Sequence, residues 1–203
     1  LQLHNTINKK LGRDFFWGFG QYLSIHRKIQ PLTNNTILVE QFANEQINRS
    51  VSSALEMSLL LDRRRNSNHP ISPGSYVNFI YRNHMKSIGS TSKYQSYYLD
   101  LRKYIAIKKR SKMEPTLCLW LLQQYTRGKI PYWDMPSTMW DPMDNSGRPF
   151  IQGRFRSRQM VNGETELRFN LLKNKMLGGA IWGNVVSMSD KNFSTFKHVV
   201  PAA

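Results

Sequence analysis

Between Gly147 and Met160 the chain carries Arg148, Arg154, Arg156 and Arg158, interspersed with Phe150, Gly153 and Phe155. Glu164 and Glu166 follow, two residues apart, in a segment where polar and apolar residues alternate. Alternation of period two means a strand with one wet face and one apolar face, so both carboxylates share the wet face. The chemistry these residue types allow is ion pairing. A guanidinium held away from water needs a carboxylate partner, and two parallel N–H···O bonds make a strong, directional clamp. Arg148 therefore has three candidate partners on polar strand faces: Glu164, Glu166 and, on an earlier strand, Asp100 beside Arg102. The plainer alternative is that Arg148, Arg154, Arg156 and Arg158 are solvated loop charges.

Covalent catalysis has nothing to stand on. His4, His26, His69, His84 and His198 show no metal-ligand spacing. There is no Gly-x-Ser-x-Gly elbow, no phosphate-binding glycine loop and no acid pair placed for proton transfer. Cys118 is the lone cysteine, which excludes an internal disulfide and any cysteine metal cage. The expectation is a protein that is not an enzyme and needs no cofactor or metal.

The 203 residues suffice for one sizeable domain, 1–203. Net charge is +16 and the pI is near 10.2, pointing to an anionic partner: nucleic acid, phospholipid headgroups or lipopolysaccharide phosphates. No run of 18 apolar residues exists, so no transmembrane helix is expected. A transmembrane barrel remains open, since its strands need only about 9–11 residues of alternating character. Mean hydropathy of −0.52 suits a barrel whose strands each turn one face to water. Without an initiator Met or signal peptide, the chain reads as a mature product or a piece of something longer.

The elements that must position the arginine cluster are strands. Periodicity predicts about eight, over 15–25, 36–42, 51–62, 75–82, 97–107, 115–125, 164–171 and 176–186. The clearest is 97–107, with Leu99, Leu101, Ile105 and Ile107 opposing Tyr98, Asp100, Arg102 and Tyr104. A helix competes over 51–62, where Ala54, Leu55, Met57 and Leu59 are good helix formers. Turns near 26–35, 63–74, 108–114 and 172–175 alternate with loops near 43–50, 83–93, 127–157 and 187–200. The longest, 127–157, holds Tyr132, Trp133, Trp140 and several prolines, and feeds the glutamate strand. A loop folded back into a β-barrel has this layout, although a soluble sandwich would give similar alternation.

Four ordered motifs over about 130 residues carry a family resemblance. Asp62, Arg64 and Asn66, then Pro70, Gly74 and Tyr76, match an Asp-x-Arg-x-Asn motif followed by Pro and Gly-x-Tyr. Leu99, Asp100, Arg102 and Tyr104 match a Leu-Asp-x-Arg-x-Tyr strand. Gly153-Arg-Phe-Arg156 resembles Gly-Arg-Tyr-Arg, and Glu166-Leu-Arg-Phe169 resembles Glu-Tyr-Arg-Phe. Together they resemble the barrel of the bacterial surface antigen family, the BamA/TamA-type outer-membrane assembly proteins, in the versions associated with Bacteroidota. The likeness covers roughly 50–190. Two positions depart from it: Arg148-Pro149-Phe150 stands where the family has Arg-Gly-Tyr or Arg-Gly-Phe, and Ile181-Trp-Gly-Asn184 lacks the usual acidic residue. Proline fixes φ and cannot replace a glycine-only conformation.

The resemblance implies an antiparallel, all-β transmembrane barrel, or part of one, in a Gram-negative outer membrane. It implies a lid loop carrying Arg148, Phe150, Gly153, Arg154 and Arg156, with Glu166 as the favoured partner of Arg148. The function implied is insertion or translocation of outer-membrane or surface proteins. Its partners are membrane lipid or lipopolysaccharide, client outer-membrane proteins, accessory lipoproteins and additional barrel strands. The family has sixteen strands and preceding POTRA repeats, against about eight strands and none of the repeats here. Two other readings compete: a basic RNA-binding protein of a ribosome, organellar or not, and a passive porin-like barrel.

Overall fold

The computed structural model describes residues 1–27, 49–64, 73–107, 113–140, 146–148, 150–172, 174, 176–189 and 196–202. Nine strands form one antiparallel sheet in which every neighbour in sequence is a neighbour in space. They are β1 (Gln2–Lys10), β2 (Phe15–Arg27), β3 (Arg49–Asp62), β4 (Gly74–His84), β5 (Tyr94–Ala106), β6 (Thr116–Gly128), β7 (Gln159–Asn170), β8 (Gly178–Ser189) and β9 (Phe196–Ala202). Among the described residues the strands number nine, against about eight expected. The strand proposed at 36–42 lies outside the described residues, while β1 and β9 were not anticipated. The helix considered over 51–62 is a strand. Because Arg27 pairs directly with Arg49, the connection after β2 returns at the same end as the long loop, not at the turn end.

The register sorts the side chains onto two faces of opposite character. One cross-strand row runs Phe15, Leu61, Val77, Leu101, Leu121, Gly163 and Val185 from β2 to β8. A second begins Trp17, Leu59, Phe79 and Leu99. These outer rows stay uncovered: Trp17, Leu59 and Leu121 expose 37%, 41% and 40% of their surface. Soluble monomers rarely leave so continuous an apolar surface bare. Opposite it, the row Asp62, Tyr76, Arg102, Trp120, Glu164 and Asn184 crosses β3 to β8 on the inner face. Ser50, Ser52, Glu56, Asp100 and Asn162 on that face are all buried.

Glycines bend the sheet toward the polar side. Thr6 on β1 and Glu56 on β3 hydrogen-bond at 2.7 Å across the intervening β2. In a flat sheet, strands two apart lie roughly 9–10 Å from one another. The close approach is possible because β2 presents Gly18 and Gly20 between them. A Cβ on Gly20 would stand 2.4 Å from the Asn5 carbonyl oxygen, and one on Gly18 2.2 Å from Ser58 Oγ. Glycine in a strand thus serves here as a bending point.

Candidate functional site

The connection from β6 to β7, residues 129–158, folds over the concave inner face. A single 3₁₀ turn, Tyr132–Asp134, opens it. An isolated bridge between Ser137 and Arg156 then holds its two limbs together. Gly153 donates its N–H to the Thr138 carbonyl at 2.8 Å and sits at φ +71°. Gly147, at φ +70°, makes the second reversal; a Cβ there would lie 3.1 Å from Val186 Cγ2. Both turns use backbone conformations that a side chain disfavours.

Arg148 points from this loop to β7. Its guanidinium spans both glutamates, Nη2 at 3.3 Å from Glu164 Oε1 and Nη1 at 3.3 Å from Glu166 Oε2. Both carboxylates are buried, and Arg168 closes the far side of Glu166. On β8, Asn184 lies directly opposite Glu164 and donates its amide to the Arg148 carbonyl oxygen at 2.6 Å. Trp182 lies beneath the guanidinium, its ring centre 5.8 Å away. The loop is therefore held by side chain and backbone at one place. Pro149 lies outside the described residues.

Asp100 does not reach Arg148. It accepts from Arg102 Nη2 at 2.7 Å and from Trp120 Nε1 at 2.9 Å. The Arg102 guanidinium also faces the rings of Trp120 and Tyr76, at 4.7 and 5.6 Å. Arg64 covers Tyr76 at 4.2 Å while pairing with Asp62. The matched residues Asp62, Arg64, Tyr76, Asp100 and Arg102 thus form one connected inner belt. Asn66 and Pro70 of that motif, and residues 108–112 of the turn expected near 108–114, lie outside the described residues.

Other loop residues play separate parts. Phe150 packs edge-to-face on Phe155, and both rest on the core of Leu122, Met160, Val186 and Met188. Arg154 is exposed, lying over Phe155. Arg156 is the internal strut: it donates to the carbonyls of Tyr132, Trp133 and Met135 at 3.2, 3.0 and 3.4 Å. The rings of Tyr132, Trp133 and Trp140 surround it at 5.1 to 5.6 Å. Burial pulls this guanidinium below its ordinary pKa, and the carbonyls and π-faces offset that desolvation.

Two inner-face contacts were not anticipated from sequence. Glu56 accepts from His4 and Thr6 on β1 at 2.8 and 2.7 Å, and from Arg82 on β4 at 2.7 Å. A charged residue on the inward parity of β3 was the available signal. Asp134 of the loop accepts from Ser52 Oγ on β3 at 2.6 Å, with His26 of β2 at 3.8 Å. These partners are 82 residues apart in sequence, so no spacing rule could have paired them. A cavity of about 600 Å³ remains between the loop and the strands, lined among others by Tyr22, Arg82, His84, Tyr94 and Gln124. The loop braces the concavity without filling it.

A nine-strand meander, apolar outside and polar inside, with a loop tied into its hollow, is the architecture of a barrel wall. Among solved structures the chain is similar to BamA from Haemophilus ducreyi lacking POTRA domains 1–3, with a TM-score of 0.71 at 15% identity. The chain has the fold of a BamA barrel wall. The likeness covers 98% of this chain and 46% of that one, so the chain spans just under half the length of its BamA neighbour. No protein-family profile and no curated protein sequence matches it. BamA-like architecture therefore rests on shape; β1 and β9 end the sheet and, among the described residues, do not pair with each other.

Proposed function

We propose that the chain forms part of the wall of a transmembrane β-barrel in a Gram-negative outer membrane. In that wall it takes part in inserting or translocating other outer-membrane proteins. The observation that carries the reading is the outer row from Phe15 to Val185, unbroken by any charge across seven strands. Such a row is costly in water and stable against lipid tails. Backbone groups on unpaired strand edges cannot face hydrocarbon, so a wall that opens at an edge offers a template for an incoming strand. The inner loop, fixed by Arg148 and Asp134, keeps the hollow shaped during such exchange. Neither ATP nor covalent chemistry is needed.

The test begins with detergent extraction from membranes and heat-modifiable migration on a gel, which report a closed barrel. Photo-crosslinkers at Ile7 on β1 should then trap segments of unfolded outer-membrane proteins. A heat-modifiable barrel that never crosslinks such segments is a passive one. Migration indifferent to heating, together with RNA that co-purifies and is released by high salt, would replace this reading with the ribosomal one.

A further inference from the structure

Cations on the inner face have carboxylates within reach: Arg82 has Glu56, Arg102 has Asp100, and Arg148 has both glutamates of β7. The rim at the long-loop end is different. Arg27 stands directly opposite Arg49 across β2 and β3. On the far side of β4, Lys129 donates its backbone N–H to the Lys93 carbonyl, setting two lysines side by side. All four are exposed, and among the described residues none of them forms an ion pair. Like charges placed opposite one another across strands are destabilising, so two such pairs on one rim call for an external anion.

What lies beneath the rim indicates which anion. Tyr81, Tyr97 and Tyr125 occupy one register row on the outer face, with ring centres 5.1 and 5.6 Å apart. Gln95, one position nearer the rim on that face, donates to the Tyr81 hydroxyl at 3.0 Å. Below the row the outer face carries Phe79 and Leu99 in register with Gln123, and then the wholly apolar Val77, Leu101 and Leu121. Apolar band, then tyrosines, then exposed cations is the order of groups met when crossing from acyl chains through the interface to lipid phosphates. A free phosphate would need only the cations.

We infer that the long-loop rim is a binding surface for phosphorylated membrane lipids, with Arg27–Arg49 and Lys93–Lys129 as phosphate clamps and Tyr81, Tyr97 and Tyr125 as the interfacial row. The inference rests on the membrane reading above and is tested separately from it. The full chain is refolded into phosphatidylcholine vesicles with and without lipid A, and scored by flotation and by heat-modifiable migration. Wild type should favour the lipid A vesicles, with the preference weakening as salt rises. The double variants Arg27→Glu/Arg49→Glu and Lys93→Glu/Lys129→Glu should each lose on the order of tenfold of that preference. A Lys9→Glu/Lys10→Glu control at the turn end should keep it. Equal loss in the control, or displacement of lipid A by equimolar inorganic phosphate, overturns the assignment. Insertion into both vesicle types, unaffected by any variant, sinks the clamps and leaves the membrane reading standing. Wild type entering neither vesicle sinks both.

Discussion

Asn184 donates its side-chain amide to the backbone carbonyl of Arg148 at 2.6 Å, from the position directly opposite Glu164. The side chain of that same arginine takes Glu164 and Glu166. The stretch Ile181–Asn184, where the family resemblance implies an acid, thus supplies a neutral donor, and it serves the backbone of the arginine instead of its charge. Asn184→Asp would remove that donor and set a third carboxylate beside two buried ones. We expect a loss of about 1–3 kcal/mol, read as a lower heat-modification temperature in detergent.

Because Arg148 bridges two glutamates at equal distance, removing one leaves the other. Glu166→Gln or Glu164→Gln alone should be mild, while the double variant should approach the defect of Arg148→Ala. Breaking a buried pair costs about 3–5 kcal/mol, and the one-third exposure of Arg148 brings the expected figure to the lower end or below. Additive single effects, each as large as Arg148→Ala, would show that the bridge does not share its load.

Arg156 anchors three carbonyls and three rings inside the loop. Arg156→Ala should loosen 129–158 while leaving the strand pairing intact. Limited trypsin digestion is the direct measure: cleavage after Arg154 should speed up by about tenfold or more, with unchanged β-sheet circular dichroism. Arg156→Lys should restore charge but not the fork of hydrogen bonds, and so rescue only in part.

Gly147 and Gly163 make a matched pair. At Gly147 the φ of +70° and the 3.1 Å approach to Val186 both oppose a side chain. Gly147→Ala should cost about 1–2 kcal/mol. At Gly163 a Cβ would meet nothing within 4 Å, so Gly163→Ala should stay within about 0.5 kcal/mol of wild type. Thermal melting of both variants in one detergent decides the comparison.

Leu121 sits in the middle of the outer apolar row. If that row faces hydrocarbon, Leu121→Arg should destabilise the refolded chain by about 2–4 kcal/mol in vesicles. An exposed leucine on a water-facing sheet would tolerate the same change within about 0.5 kcal/mol. Urea titration in vesicles separates the two.

How much of this was legible in the sequence depended on contrast between faces. β5 stands out because leucines and an isoleucine alternate with charged or aromatic residues, and β7 because Glu164, Glu166 and Arg168 alternate with Thr165, Leu167 and Phe169. β1 went unseen because Gln2–Lys10 is polar on both parities, with only Leu3 and Ile7 to mark an outer side. β9 ends in Pro201 and Ala202, residues that signal a break, and is too short to establish a period. Within the loop, residue types flagged the arginines, but Asp134 with Ser52 is a contact of tertiary structure alone. The glycine-rich character of 15–25 argued against a helix there; the role of Gly18 and Gly20 as the bend between Thr6 and Glu56 required the neighbours on both sides.

Two of the long loop's polar ties to the wall lie far apart, Ser52 on β3 through Asp134 and the β7–β8 pair through Arg148. Five strand spacings separate β3 from β8, an arc of roughly 24 Å. A tether fixed at both ends of an arc behaves like the tie-rod of an arch: it sets the span and resists splaying. Any widening of this half-cylinder must first let go of one station, and the Ser52–Asp134 end, a single short hydrogen bond against the two ion pairs and the amide contact at Arg148, is the weaker of the two.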